Sequence, residues 1–381
     1  MPERRYRELD ALRGLASAMV VFDHFVSLRA GEAQPHWTRL VFVSPLHVLT
    51  AGHEAVILFF LLSGFVLSLP YLRPFPPGYG PFLVKRVFRI YVPYVAALIL
   101  AVAADALFRG PVRGFAPWVN AAWSRPVDPR LVLQHLAWLG SYDYRQFNGA
   151  FWTLIQEMRI SIVFPAIAVL AAAASARTSI MAAAVVSIAA QILAGIFGHW
   201  EWFRMAHYAA IFLLGCVIAR NLDSISAWYR GLDKTARAAF VLASSLLFVY
   251  GRQAERLGLA RGRFEDWAVA LGAAGLVVLS LNAVPLRRFL RTTALQGLGT
   301  VSFSTYLVHV PILLALVHRL AGSTSWTAMF ISYLTLTGVA ALLFHKVVEK
   351  PATSAGRRLS ERIASHESGL AGSRCALACR E

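Results

Sequence analysis

Residues 55–71 read AVILFFLLSGFVLSLPY, an unbroken apolar run without a charged side chain. A membrane-spanning helix needs about 20 mostly apolar residues to cross a hydrocarbon core about 30 Å thick, and this run with its flanks supplies them. Other stretches read the same way: 11–28, 90–108, 150–173, 179–198, 205–219, 236–250, 266–284, 298–320 and 326–345. The pattern predicts an all-α integral membrane protein of about ten transmembrane helices, with no soluble domain. A semi-apolar stretch at 131–140 reads as interfacial or re-entrant. The first span is too long for a signal-peptide core and no small-residue cleavage pattern closes it, so it is expected to be retained.

The composition agrees. The chain of 381 residues is 57% hydrophobic and 15% charged, with mean hydropathy +0.57. Soluble domains carry about 25% charged residues, so this chain lacks the polar surface to coat a water-soluble body. An ordinary cytosolic enzyme, a disordered chain and a secreted disulfide scaffold are excluded. The net charge of +17 would suggest nucleic acid in a soluble protein. Here the basic residues gather on alternate connections: Arg4–Arg13, Arg73–Arg89, Arg220–Arg237, Arg287–Arg291 and the tail from Lys346 onward. By the positive-inside rule this places both termini in the cytoplasm, with no need of a nucleic acid; the basic group between Arg252 and Arg263 runs against that orientation without reversing it. Cys216 sits in an apolar run, and Cys375 and Cys379 form a lone C-x3-C. Neither makes the three- or four-ligand set that a metal requires, so no metal is expected.

Ionisable groups within spans are costly and usually functional. The first span carries Asp10 and Arg13 near its cytoplasmic end and Asp23-His24 deeper in. At 100° and 1.5 Å per residue, Arg13 and His24 fall within about 20° of one helix face and about 16 Å apart along the axis. Taken alone, that pair also fits a snorkelling arginine and a core histidine. In depth, His24 lies about 19 Å into its span, Glu157 about 10 Å in from the opposite surface, and His309 within a few ångströms of the same level. Three titratable groups near one plane could form a buried site, although chance alone gives the same coincidence where helix tilt is worth several ångströms.

The residues RRYRELDALRGLASAMVVFDHF (4–25) resemble the opening of the acyltransferase 3 family, multispanning O-acyltransferases of surface glycans and lipids. That family's hallmark is an arginine, ten residues, then a histidine, matched here by Arg13 and His24. More motifs recur in order: Gly52-His53-Glu54-Ala55-Val56 with Phe59–Phe65, the basic block Phe82–Pro93, Asn148-Gly149 with Trp152-Thr153-Leu154 and Glu157, Ser304–Pro311 with Tyr306 and His309, and Glu349-Lys350-Pro351. The resemblance covers residues 4–351 and divides the chain into a multispanning domain, 1–351, and a basic cytoplasmic tail, 352–381. One departure stands out. After Glu157 the family often has an aromatic pair, whereas this chain reads Met158-Arg159-Ile160-Ser161. Arg159 is a charge within a span and is expected to need Glu157 or an aqueous cavity as partner.

The resemblance implies a membrane O-acyltransferase, most simply an acetyltransferase, in the bacterial cytoplasmic membrane. It would move an acyl group from cytoplasmic acyl-CoA to a hydroxyl of a periplasmic or surface-destined sugar or glycan. The catalytic residues expected are His24, Arg13 and Glu157, with His24 as general base; a covalent acyl-histidine is the other route open to it. Arg13, Lys85, Arg86 and Arg89 are expected to hold the donor's phosphates, although basic residues beside a span also serve simply to orient it. Trp152, Asn148, His309 and Ser63 are candidates for substrate contact, with Ser63-Gly64 also readable as a close helix-packing point. The competing reading is a transporter or flippase in which His24 and Glu157 form a proton or substrate path.

Overall fold

The computed structural model describes residues 6–29, 41, 44–138, 140, 142–198, 201–253, 264–320 and 322–378, with side chains as far as 367. Arg4, Arg5, most of the basic group after Arg252, and Cys379 lie outside these residues. The described chain is helical, with no strand among the described residues. In order come α1 (Arg7–Val26), α2 (Gly52–Ser68), α3 (Tyr79–Arg86), α4 (Val92–Phe108), α5 (Pro117–Ala121), α6 (Pro129–Ala137), α7 (Phe151–Ala173), α8 (Ala176–Phe197) and α9 (Glu201–Arg220). There follow α10 (Leu222–Gly231), α11 (Lys234–Tyr250), α12 (Glu265–Asn282), α13 (Val284–Leu290), α14 (Thr293–Leu320), α15 (Trp326–Phe344) and α16 (Lys350–Ala378). Among the described residues, 9 helical stretches are long and apolar enough to cross a membrane. The expected seventh span, 236–250, is α11, a helix of 17 residues. It is about 26 Å long, shorter than the hydrocarbon core, and packs lengthwise against α12. The stretch at 131–140 does not span: it forms the short α6, which ends at Trp138 in a left-handed conformation.

Small residues set how closely the helices approach, because helix association in lipid depends on packing rather than on the expulsion of water. A Cβ at Gly64 on α2 would overlap the Phe212 carbonyl of α9, and one at Gly215 on α9 would overlap the Leu61 carbonyl of α2. The same reciprocity joins α1 to α14. A Cβ at Gly14 would come within 2.6 Å of the Gly299 amide nitrogen, and one at Gly299 would overlap the Asp10 carbonyl. These two backbone contacts bring the Arg13–His24 helix and the Ser63 helix into the centre of the bundle. Outside, α8 exposes Met181, Val185, Ile188, Ile192 and Ile196, an apolar face suited to lipid.

The first helix is tied to α14 and the last to α3. Arg7 at the start of α1 donates to Gln296 at the start of α14, and Ser360 of α16 donates to the Pro81 carbonyl of α3 at 2.9 Å. The basic residues of the first loop block therefore lie beside the C-terminal helix.

Candidate active site

Two cavities open from opposite ends of the bundle. The larger, about 740 Å³, lies between α1, α2, α3, α7, α14 and α16. Its lining contains Arg13, Arg73, Lys85, Arg86, Arg89 and Arg357 together with Ser63, Thr153, Glu157 and Tyr306. The smaller, about 220 Å³, is lined by Asp23, His24, Trp118, Tyr144, Arg145 and Trp152, among others. The partition between them is one layer of side chains. Thr153 faces the larger cavity and its neighbour Trp152 the smaller; Tyr306 faces the larger and Val310, one turn on, the smaller. His309 lies between those two and is fully buried.

At this partition α1 and α14 place two imidazoles in contact. The rings of His24 and His309 are 4.9 Å apart, nearly perpendicular. His24 Nδ1 lies 2.9 Å from the Val20 carbonyl, and His309 Nδ1 lies 2.8 Å from the Tyr306 carbonyl. A carbonyl only accepts, so each Nδ1 carries the proton and each Nε2 presents a lone pair. His309 Nε2 is buried without a hydrogen-bond partner. Trp118, whose indole donates to the Ser27 carbonyl at 3.1 Å, packs edge-on to the His24 ring. The outer wall of the smaller cavity is thus tied to the end of α1.

On the basic side, two π-helical turns face one another: Val87–Tyr91 after α3 and His345–Glu349 before α16. Such bulges re-aim side chains and recur at functional sites. Arg86 donates to Glu157 at 2.7 Å and to Ser161 at 3.1 Å, and Ser63 also donates to Glu157, at 3.2 Å. Arg89 donates to Glu349 at 2.8 Å; that buried carboxylate also accepts from Ser304 and contacts His345 Nδ1. Arg13 stands 3.9 Å from Asp10.

The family profile described as an acyltransferase domain matches residues 6–345. The chain belongs to the acyltransferase 3 family. It is a multi-pass membrane acyltransferase, using an acyl donor and an acceptor. It is also similar to acyltransferase MdmB of Streptomyces mycarofaciens, 28% identical over 389 residues covering 92% of this chain and 93% of that protein. No solved structure matches it.

The family motifs read from the sequence take different places in this geometry. His24 and His309 meet at the partition, while Glu157 lies in the larger cavity paired with Arg86 and Ser63. Arg13, Lys85, Arg86 and Arg89 all line the larger cavity. Trp152 lines the smaller one, stacked on His53 and beneath the Arg204 guanidinium. Asn148 is buried; its side chain donates to the Leu307 carbonyl and accepts from the Ala150 amide, joining α14 to the start of α7. Arg159 finds neither of its expected partners. It donates to the carbonyls of Trp138 and Gly140 and lies 3.8 Å from Glu201. The reason is helical direction: Arg159 is two residues beyond Glu157 and points to another face of α7.

Two features escaped the sequence reading. Arg73 and Arg357 join the larger cavity from outside the recognised motifs. At the rim of α2, Asp266 accepts from His53 at 2.9 Å and meets His207 at 3.2 Å, uniting α2, α9 and α12. The first carried a faint signal, as charges beside spans. The second joins residues 213 positions apart and carried none. Asp23, read within the first span without a role, lines the smaller cavity beside His24. Among the described residues no group of His, Cys, Asp and Glu has the geometry to hold a metal ion.

Proposed function

We propose that the chain is an O-acetyltransferase of the bacterial cytoplasmic membrane. It takes the acetyl group from cytoplasmic acetyl-CoA and esterifies a hydroxyl of a sugar or glycan presented from the opposite side. The observation that carries this reading is that His24 lines the aromatic-lined cavity at the side-chain layer that parts it from the cation-lined one. The cationic cavity suits a donor bearing phosphates, since guanidinium groups bind phosphate through charge-assisted forks. Trp118, Trp152 and Tyr144 suit the apolar face of a sugar ring, and about 220 Å³ is below the roughly 300–1,000 Å³ of pockets that enclose drug-sized ligands. One ring of the acceptor fits there.

With Nδ1–H held by the Val20 carbonyl, His24 offers Nε2 to the acceptor hydroxyl as general base. The alkoxide oxygen attacks the thioester carbonyl, the new C–O bond forms, the C–S bond breaks, and the proton on His24 passes to the departing thiolate. The donor's acyl end must reach His24 through the Tyr306–His309 layer. The Arg13 charge sits on the donor side of the same helix and fixes the donor's approach.

The test is release of free CoA from acetyl-CoA by purified protein in nanodiscs with a panel of methyl glycosides, followed by a thiol reagent. The wild type releases CoA only when an acceptor is present. His24→Ala lowers the rate about 10²- to 10⁴-fold, the usual worth of a general base, with its melting temperature unchanged. A rate close to the wild type in a folded His24→Ala variant overturns the assignment.

A further inference from the structure

The six cations of the larger cavity are not equivalent. Arg86 is held by Glu157 and Ser161, Arg89 by Glu349, and Arg13 stands near Asp10. Among the described residues Arg73, Lys85 and Arg357 make no ion pair, and all three are exposed at the mouth. Two of them come from outside the motifs read in the sequence. Arg357 comes from α16, whose start at Lys350 already lies past the last residue matched to the family.

The seating of α16 explains why Arg357 faces the cavity. Gly356 lies so close to the π-turn after α3 that a Cβ there would overlap Phe88, and Ser360, one turn on, donates to the Pro81 carbonyl of α3. These i,i+4 positions form the stripe that grips α3 and its π-turn. Thr353 and Arg357, also i,i+4, form the adjacent stripe, and both line the cavity. Arg358, next in sequence, is exposed and does not line it.

We infer that α16 is a working wall of the donor site, and that Arg357 with Arg73 and Lys85 grips the donor's phosphates while Arg86 and Arg89 serve mainly to hold the π-turns in place. This rests on the reading of the donor as an acyl-CoA. The ligand chemistry is a cluster of phosphate oxygens. Three unneutralised cations from three segments can engage separate phosphates, and none must first break an ion pair. A headgroup phosphate of an anionic lipid offers the same chemistry, and the experiment separates the two sources.

Full-length protein in phosphatidylcholine nanodiscs is titrated calorimetrically with CoA and with 3′-dephospho-CoA, for the wild type, Arg357→Gln, Arg73→Gln and Arg358→Gln. Melting temperatures establish that each variant is folded. Arg357→Gln and Arg73→Gln are expected to weaken CoA about tenfold, in the range of one lost charge-assisted contact. Arg358→Gln, with the same loss of charge on the same helix, should leave the affinity within about twofold. At least one of the two cavity variants should also narrow the gap between CoA and its dephospho form. Wild type that binds CoA with Arg357→Gln unchanged overturns the inference and leaves the donor reading standing; wild type that binds no CoA overturns the donor reading and the inference with it. Equal losses from Arg357→Gln and Arg358→Gln show a general surface field and also overturn it. Repeating the titration with phosphatidylglycerol in the nanodisc decides the source. If Arg357→Gln changes lipid retention and not CoA affinity, the cations serve headgroups and the inference fails.

Discussion

The Arg86–Glu157 pair offers a double-mutant cycle whose outcome follows from its surroundings. The two side chains are 11% and 20% exposed and lie 2.7 Å apart. Removing one member of a fully buried pair costs about 3–5 kcal/mol because it strands the other charge, and the partial exposure here places the cost at the low end or just below it. Glu157→Leu leaves Arg86 with only the Ser161 hydroxyl and is expected to cost about 3 kcal/mol. Arg86→Met leaves Glu157 with the Ser63 hydroxyl as donor and is expected to cost about 2 kcal/mol. The double variant strands no charge and is expected to cost about 2 kcal/mol, giving a coupling of about 3 kcal/mol, the upper end for residues in contact. Equilibrium unfolding in mixed micelles of rising SDS fraction, followed by tryptophan fluorescence, measures all four proteins. Additive losses, with the double variant near 5 kcal/mol, would refute the argument that the pair holds the π-turn of α3 to α7. Near-wild-type CoA release by the double variant would in addition show that Glu157 takes no direct part in the chemistry.

Other consequences are open to measurement. Gly64→Ala and Gly215→Ala each place a methyl against a facing carbonyl and should cost about 1–3 kcal/mol by overpacking, read in the same micelle titration. Arg159→Met removes the donors to the Trp138 and Gly140 carbonyls; a loss of about 2–4 kcal/mol is expected, with faster amide exchange in α6 as the local signature. Burial holds the His135 imidazole down at about 4, against the pull of nearby Asp143, whereas an unfolded histidine titrates near about 6.5. Between those values the unfolded chain binds the extra proton and the folded one does not. Stability should therefore be fully present above about pH 6.5 and fall as the pH drops toward about 4, by up to about 3 kcal/mol from this group. In His135→Phe that share of the slope should vanish.

The sequence alone carries the membrane-spanning class, because each span is a local matter of about 20 apolar residues whose backbone bonds close within the segment. It also carries the family, through Arg13 and His24 and the motifs that follow them, and the placement of Lys85, Arg86 and Arg89 at the same end as Arg13. Helical periodicity sufficed for the shared face of Arg13 and His24, since both belong to one helix. What periodicity could not supply is partnership between helices. Glu157 and Arg159 are two residues apart, yet one binds Arg86 and the other two carbonyls near α6, a division set by which helices flank each face of α7. The contact of His24 with His309 depends on how closely Gly14 and Gly299 let α1 approach α14. The addition of Arg357 to the cationic cavity depends on Gly356 and Ser360 seating α16 against α3 and the π-turn that follows it. Local hydropathy fixes which segments enter the bilayer; side-chain packing between segments distant in sequence decides which charges face one another once there.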